Sequence, residues 1–555
     1  MTVKRERSPD EQRHYRPWRA SLSALVLLCS AGCSTSIDGD SDGDKDPQTG
    51  SQTGHCGVTA DPIRRLTPEE YVNSVAALFP DVTLPDDRPL PDARINGYTN
   101  QSAGQSVSEL GVRKYEELAR TIAAAASTQL ESWAPCSEDN AECVREIAMQ
   151  LGTRAYRRPL TAEETTHIEE FASQAYDDFG LSEGLAIVVQ GLLESPWFLF
   201  RPEFGYADES SQGKMPLDDY EMASRLSYFF LSTSPDDELL AAAERGELRT
   251  TEGIEAQAAR LMAEPAARAS LTKFFTEWLG VYRLAQLNLD TGTFPEFDTA
   301  MRADLERSAE LYIDKALWED DSLDSLLTGT YAFVNDRLAP LFGVEPPGSE
   351  ELVLVELDPS ERRGILTQPA LLASTSHGIA HSPILRGVTL LRNVLCSSVP
   401  SPPAGILDNL DPVEVPEGEI CTTRDKLTKT HTIHPGCPTC HVAIDAAGFA
   451  FERYDALGRY RTEENGCSVD STGTFPAPLG PVDDAVQLAD VLAKSPAVAE
   501  CVTTQALRFA LGRADTRKDD CEIGRVSLTL QRGQSLQGLV LDLVLSAPFR
   551  TRPAN

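Results

Sequence analysis

Five consecutive residues carry the strongest chemical signal in this chain: Cys437-Pro438-Thr439-Cys440-His441. On a helix, two cysteines three positions apart stand about one turn from each other, so both thiols can reach the vinyl groups of one haem and form thioethers. The histidine that follows turns its imidazole toward the iron from the same side. Covalent attachment and a proximal axial ligand thus come from one spacing. A disulfide, a redox dithiol or half of a zinc site would use the same two cysteines. A zinc tetrad wants a second CxxC or an HxxxH nearby, and a thioredoxin-like dithiol wants a βαβ setting; the neighbouring sequence offers neither. Cys437, Cys440 and His441 are therefore read as the cofactor-binding residues for a covalent haem c, with His441 on the iron, and a structural disulfide is the alternative.

The opposite axial position is open to several residues. High-potential electron carriers commonly use a methionine there, but the chain has none after Met301. His431, six residues before Cys437, is the first candidate for the distal ligand, against a turn-capping or surface histidine. His434, beside Pro435, reads as a loop residue. His377 and His381 are lesser candidates. They stand at i, i+4 and would share a face if helical, although Gly378 and Pro383 favour a loop. Phe449, Phe451, Tyr454, Leu457 and Tyr460 could wall a porphyrin or equally pack a core. Arg453, Arg459 and Arg461 could pair haem propionates or simply face solvent, and Asp455 could cap or pair with one of them. No G-x-S-x-G elbow, Walker loop or Rossmann glycine pattern stands where a strand-turn-helix could use it, so hydrolase chemistry has no support.

The elements that must hold these residues are mainly helical. Thr67-Pro68-Glu69-Glu70 predicts an N-cap, a first-turn proline and a capping-box glutamate, and Thr161-Ala162-Glu163-Glu164 repeats the start. Ser234-Pro235-Asp236-Asp237 opens another helix that stops at Gly246, and apolar residues at spacings of three and four continue the pattern over 252–285 and 295–320. Strand signals are confined to Leu352–Leu357 and Tyr331–Val334. Ser195-Pro196-Trp197-Phe198 and Ser546-Ala547-Pro548-Phe549 form a faint internal echo, as of two similar helix ends. A Pro-rich break at Val399–Pro403 and the acidic stretch to Glu419 separate a helical body from the haem motif. The expected organisation is a signal peptide over 1–32, a tether over 33–55, helical regions over 56–205 and 206–360, a small cytochrome-c-like domain over 361–480 and a helical cap over 481–555.

The 555 residues carry 85 acidic and 50 basic side chains, a formal net charge of −35. Such a chain repels phosphate backbones, which argues against nucleic-acid binding and leaves a cationic redox partner or a small-molecule substrate open. Residues 1–32 combine six basic side chains with the apolar run Leu22–Cys29 and then Ser30-Ala31-Gly32 before Cys33. This reads as an export signal of lipoprotein type, with Cys33 as the lipidated residue and lipid as the only membrane attachment. Ser34 after Cys33 points to a periplasmic or cell-surface location, on the outer membrane of a Gram-negative bacterium. An oxidising compartment lets the remaining cysteines pair. Cys136 with Cys143, Cys396 with Cys421 and Cys501 with Cys521 are plausible local bridges, and Cys56 with Cys467 follows by elimination.

Blocks across residues 64–513 resemble a set of exported bacterial proteins, the planctomycete cytochrome c and planctomycete-specific domains of unknown function. Among them are RRLTPEEYVNSVAALF, AYRRPLTAEE, SPWFLFR, RLSYFFLSTSPDDELL, FVNDRLAPLFG, RRGILTQPALLASTS, SPILRG, CPTCHVAIDAAGFAFERYDALGRYR and RFALGR. The resemblance implies a helical N-terminal region, a central helical domain, a CxxCH domain with haem c on Cys437, Cys440 and His441, and a helical cap. It also implies a histidine at position 431. It implies no established substrate. The expectation is an exported haem c protein in electron transfer or, if an enzyme, haem-dependent oxidoreduction. The competing class is a surface binding or structural lipoprotein.

Overall fold

In the computed structural model, which describes residues 57–208, 213–399, 420–433, 438–533 and 535–554, helices supply nearly all the regular structure. The first starts on local chemistry. Thr67 Oγ1 accepts from Glu70 N while the Glu70 carboxylate accepts from Thr67 N at 2.7 Å, which satisfies two amides that helix geometry leaves over and sets α1 (Pro68–Leu78). Next come α2 (Glu109–Thr128) and α3 (Ala141–Tyr156). The same box at Thr161 and Glu164 starts α4 (Ala162–Glu194), which breaks where Gly180 adopts a φ of +73°. With the single turn α5 (Pro196–Leu199), these helices enclose a first apolar core around Tyr71, Val75, Ile147, Val188 and Phe198.

A second core begins with α6 (Asp219–Leu231), α7 (Asp237–Glu244), α8 (Thr251–Met262), α9 (Pro265–Leu279) and α10 (Thr299–Asp314). It continues past α11 (Leu323–Thr328) and α12 (Ala339–Phe342) into α13 (Pro369–Ser374) and α14 (Pro383–Thr389). It then takes in α16 (Pro438–Phe449), α17 (Ala485–Ala493), α18 (Pro496–Leu511), α19 (Asp520–Gly533), α20 (Leu536–Val544) and α21 (Ala547–Arg550), while α15 (Thr423–Ile433) lies beside α16. Ile444, Ala447, Phe451 and Leu457 belong to this same cluster, so the apolar core does not divide at the Pro-rich break. The two expected strands form as Tyr331–Val334 and Val353–Glu356, paired antiparallel with Tyr331 opposite Glu356. Among the described residues no helix is long and apolar enough to cross a membrane.

The echo noted in the sequence corresponds to two matched corners. α5 runs into Phe200–Arg201, which pairs with Arg64–Arg65, and α21 runs into Thr551–Pro553, which pairs with Lys214–Pro216. A buried guanidinium holds each corner. Arg157 donates to the carbonyls of Trp197, Phe198 and Phe200, and Arg225 donates to those of Pro548 and Phe549. Carbonyls freed at a helix end inside the protein need such donors.

Helix α16 is positioned by a backbone crossing. A Cβ on Gly387 of α14 would come 2.1 Å from the Ile444 carbonyl oxygen, and one on Gly448 of α16 would come 2.0 Å from that of Pro383. Only glycine lets the two helices approach this closely.

The disulfides correct three of the expected pairings. Cys136–Cys143 forms, bridging the start of α3. Cys396, however, pairs with Cys501 of α18 across a Cα separation of 5.3 Å, and Cys421 pairs with Cys467 at 6.1 Å. The expected Cys396–Cys421, Cys501–Cys521 and Cys56–Cys467 bridges are excluded by these two. Nearness in sequence misled, because tertiary packing lays α18 beside the end of α14 and ties α15 to the strand at Cys467. Cys521 is also disulfide-bonded, and Cys56, like Cys33, lies outside the described residues.

Candidate functional site

α15 and α16 bring His431 and His441 together. Position 440 lies on α16, whereas His434 and Cys437 fall outside the described residues. His441 Nδ1 stands 3.2 Å from Oδ1 of Asp445, one turn further along α16, and His431 Nδ1 reaches Oδ2 of the same carboxylate at 2.7 Å. The two imidazole centroids are 3.8 Å apart, with the ring planes tilted by 37°. One carboxylate thus orients both rings through Nδ1, which leaves Nε2 as the nitrogen His441 can offer elsewhere. Position i+4 on a helix was the signal in the sequence that could have found Asp445.

α15 is held in place from outside the pair. Thr423 donates through N and Oγ1 to Glu464 at 2.7 and 2.8 Å, Asp425 accepts from the amide of Thr422 at 3.0 Å, and the Cys421–Cys467 bridge fixes the preceding turn. The Arg424 guanidinium lies 4.6 Å from the centroid of the Phe449 ring.

Along α16, Ala443 and Ile444 border a cavity of about 400 Å³. Its walls are mostly apolar, with Leu391, Leu395, Phe475 and Leu479 prominent, and its polar lining comes from Ser397, Ser398 and Ser495. Ile444 is three positions after His441 and four after position 440, so the cavity adjoins the helix face that carries the motif. A volume within about 300–1,000 Å³ and an apolar lining are what small-molecule and cofactor sites present.

The remaining histidines go elsewhere. Ser376–His377 and Ala380–His381 form a small antiparallel hairpin rather than a helix, which leaves His377 exposed and His381 buried. His381 Nε2 is 3.2 Å from Glu452 Oε1 and 3.2 Å from Arg461 Nη2, while Arg461 Nη1 lies 3.3 Å from Glu464. Burial first, then Arg386 and Arg461, pulls the imidazole down to about 3, and burial, then Glu464, pushes the Glu452 carboxyl up to about 7. Close to neutrality the imidazole is uncharged and the carboxyl is held far more protonated than an ordinary glutamate, with Glu452 Oε2 buried and without a hydrogen-bond partner. Sequence reasoning missed Glu452, Glu464 and Arg386, which donates to the carbonyls of Phe451, Tyr454 and Asp455. Residues 71 apart in the chain leave no local pattern to find.

The other motif-proximal residues have protein partners. Phe449, Phe451, Tyr454 and Leu457 are core residues, and the Tyr454 hydroxyl donates to the Glu361 carbonyl. Arg453 bonds the Tyr460 hydroxyl and faces Asp484, and Arg459 pairs with Glu296 and Asp455.

Five family models match the chain, each described as a protein of unknown function: DUF1587 over residues 64–128, DUF1595 over 143–203, DUF1592 over 217–344, DUF1588 over 362–464 and DUF1585 over 480–549. All five are domains of the planctomycete cytochrome-like group, and the DUF1588 match spans positions 437–441. No curated protein and no solved structure matches.

Proposed function

We propose that this chain, assembled from those five domains, is an exported haem c protein working in electron transfer or haem-based oxidoreduction. The observation that carries the reading is the Asp445 carboxylate on His441 Nδ1, which commits that nitrogen and turns Nε2 into the available ligand atom. A histidine bound to a metal characteristically has its other ring nitrogen held in this way, which fixes the ring and raises its basicity. The residues present fit the group: two cysteines at the right spacing in the sequence, an oriented imidazole, and an apolar cavity bordering the same helix face. When bound there, haem supplies a one-electron couple tuned by its axial ligand and by its dryness. His431 reaches Asp445 from α15 and so positions the carboxylate that positions His441. The first distal-ligand candidate is His431, by rearrangement of α15; of the lesser candidates His377 is exposed whereas His381 is buried against Glu452 and Arg461, and otherwise the position is open. Lipidation at Cys33, an outer-membrane location and a cationic redox partner complete the proposal, the last suited to the net charge of −35.

The test is expression in a host with haem-maturation machinery. A haemochrome band that survives acid-acetone extraction is expected, and it is expected to vanish in Cys437→Ser/Cys440→Ser. A colourless native protein would instead favour the surface binding lipoprotein whose CxxC is only a disulfide. Cys33→Ala should move the protein to the soluble exported fraction, and its retention on membranes would refute the anchor.

A further inference from the structure

A separate cavity of about 340 Å³ opens among the first helices, formed by residues from the Arg65 strand, the loops before α2, α2 itself and the end of α4. Its floor is built by fixed contacts. Gln105 grips the Arg65 backbone from both sides, accepting from its amide at 2.9 Å and donating to its carbonyl at 2.7 Å. The Arg65 guanidinium donates to Asp92 Oδ1, to the Tyr115 hydroxyl and to the Leu66 carbonyl. A Cβ on Gly104 would stand 2.2 Å from the Ala93 carbonyl oxygen, so glycine is what lets the Asp92 segment lie down against this floor.

With Arg65 neutralised by Asp92, the cavity has acceptors left over. The Asp92 side chain is 4% exposed, and its Oδ2 is buried with no partner. Glu116 and Glu194 also line the cavity, Glu194 accepting from Gln190 at 2.8 Å through Oε1. The rim is apolar and open: Val107 is 64% exposed, Val112 53% and Leu90 39%. Buried acceptors without donors are rare and call for a missing partner, and a surplus of carboxylates selects a cationic one.

We propose that this cavity is a binding site for a small apolar primary amine, its ammonium group donating to Asp92 Oδ2 and its hydrocarbon body lying against Leu90, Val107 and Val112. Arg65 holds Asp92 in place and Glu194 adds to the negative field. Burial raises the Asp92 carboxyl above its ordinary range, so acidification neutralises it and releases the amine. The site is independent of haem.

Titration calorimetry on the purified chain with n-hexylamine, 1-hexanol and hexanoate tests this. Hexylamine is expected to bind one to one and at least tenfold tighter than hexanol, with hexanoate unbound. Asp92→Asn should bring hexylamine to the level of hexanol. Because that variant also loosens Arg65, Val112→Lys supplies a second arm: it places a cation at an exposed rim position, should leave the melting curve unchanged and should weaken hexylamine at least tenfold. Equal binding of amine and alcohol, hexylamine affinity unchanged in Val112→Lys, or no binding to the native chain at millimolar concentration would each overturn the proposal.

Discussion

Two histidine–carboxylate clusters in this protein use the same side-chain types to opposite ends. His431, His441 and Asp445 are partly exposed, at 16, 26 and 13% of their side chains, and the carboxylate takes only one nitrogen of each ring. His381 and Glu452 are buried, at 3 and 1%, and Arg461 stands against the imidazole. Near solvent a carboxylate can stay charged, aim a ring and leave its second nitrogen for something else. In the interior the charged form is disfavoured on both sides, the imidazole stays neutral while the carboxyl keeps its proton to higher pH, and an arginine fills the place a cation would take. Composition alone does not distinguish the two clusters; burial does.

If that contrast is right, the buried cluster should be structural and the exposed one functional. The largest effect on stability is expected from Arg386→Met, which leaves three buried carbonyls without their donor and should lower unfolding free energy by about 3–5 kcal/mol in urea titrations. A loss under about 1 kcal/mol would break the contrast.

Glu452→Gln should alter how stability depends on pH. A histidine lowered to about 3 binds fewer protons folded than unfolded, so its contribution rises with pH between about 3 and 6.5. A carboxyl raised to about 7 binds more protons folded than unfolded, so its contribution falls between about 4.5 and 7. In the native chain the two slopes oppose each other from pH 4.5 to 6.5. Removing the carboxyl exposes the histidine slope, and the variant should gain up to about 2 kcal/mol across that window relative to the native profile. Parallel profiles would show that the two groups do not titrate as opposed partners.

Asp445→Asn should cost about 1 kcal/mol of stability and, with haem attached, raise the reduction potential, because the axial imidazole loses the acceptor that makes it more basic. An unchanged potential would remove Asp445 from the site. The smallest expected effect on stability is that of His431→Ala, within about 0.5 kcal/mol by denaturation, and with haem attached the variant should lose the low-spin bands. An unchanged spectrum would remove His431 as the distal ligand.

What could be read in the sequence was whatever its neighbours determine. The boxes at Thr67 and Thr161 are set within a few residues of themselves, and the two strands and the turns that open α5 and α21 show in their own runs, although their partners lie elsewhere in the chain. The motif at positions 437–441 was equally plain as a spacing. The disulfides at Cys396 and Cys501, the Gly387–Gly448 crossing and the Arg386 carbonyl clamp were not legible, because each joins segments brought together only by the core. Asp445 lies between these cases: its i+4 spacing to His441 was visible, but its bond to His431 depends on how α15 packs.

The bridge from Cys396 to Cys501 spans 105 positions and encloses α15, α16 and the cavity wall at Phe475. A protease that cuts the backbone anywhere inside that span produces two fragments that remain one molecule. Such a nicked chain runs at full mass on a gel until a reductant is added, and then separates. A single cut there sheds no peptide, and the segment carrying His441 stays attached to the rest of the chain.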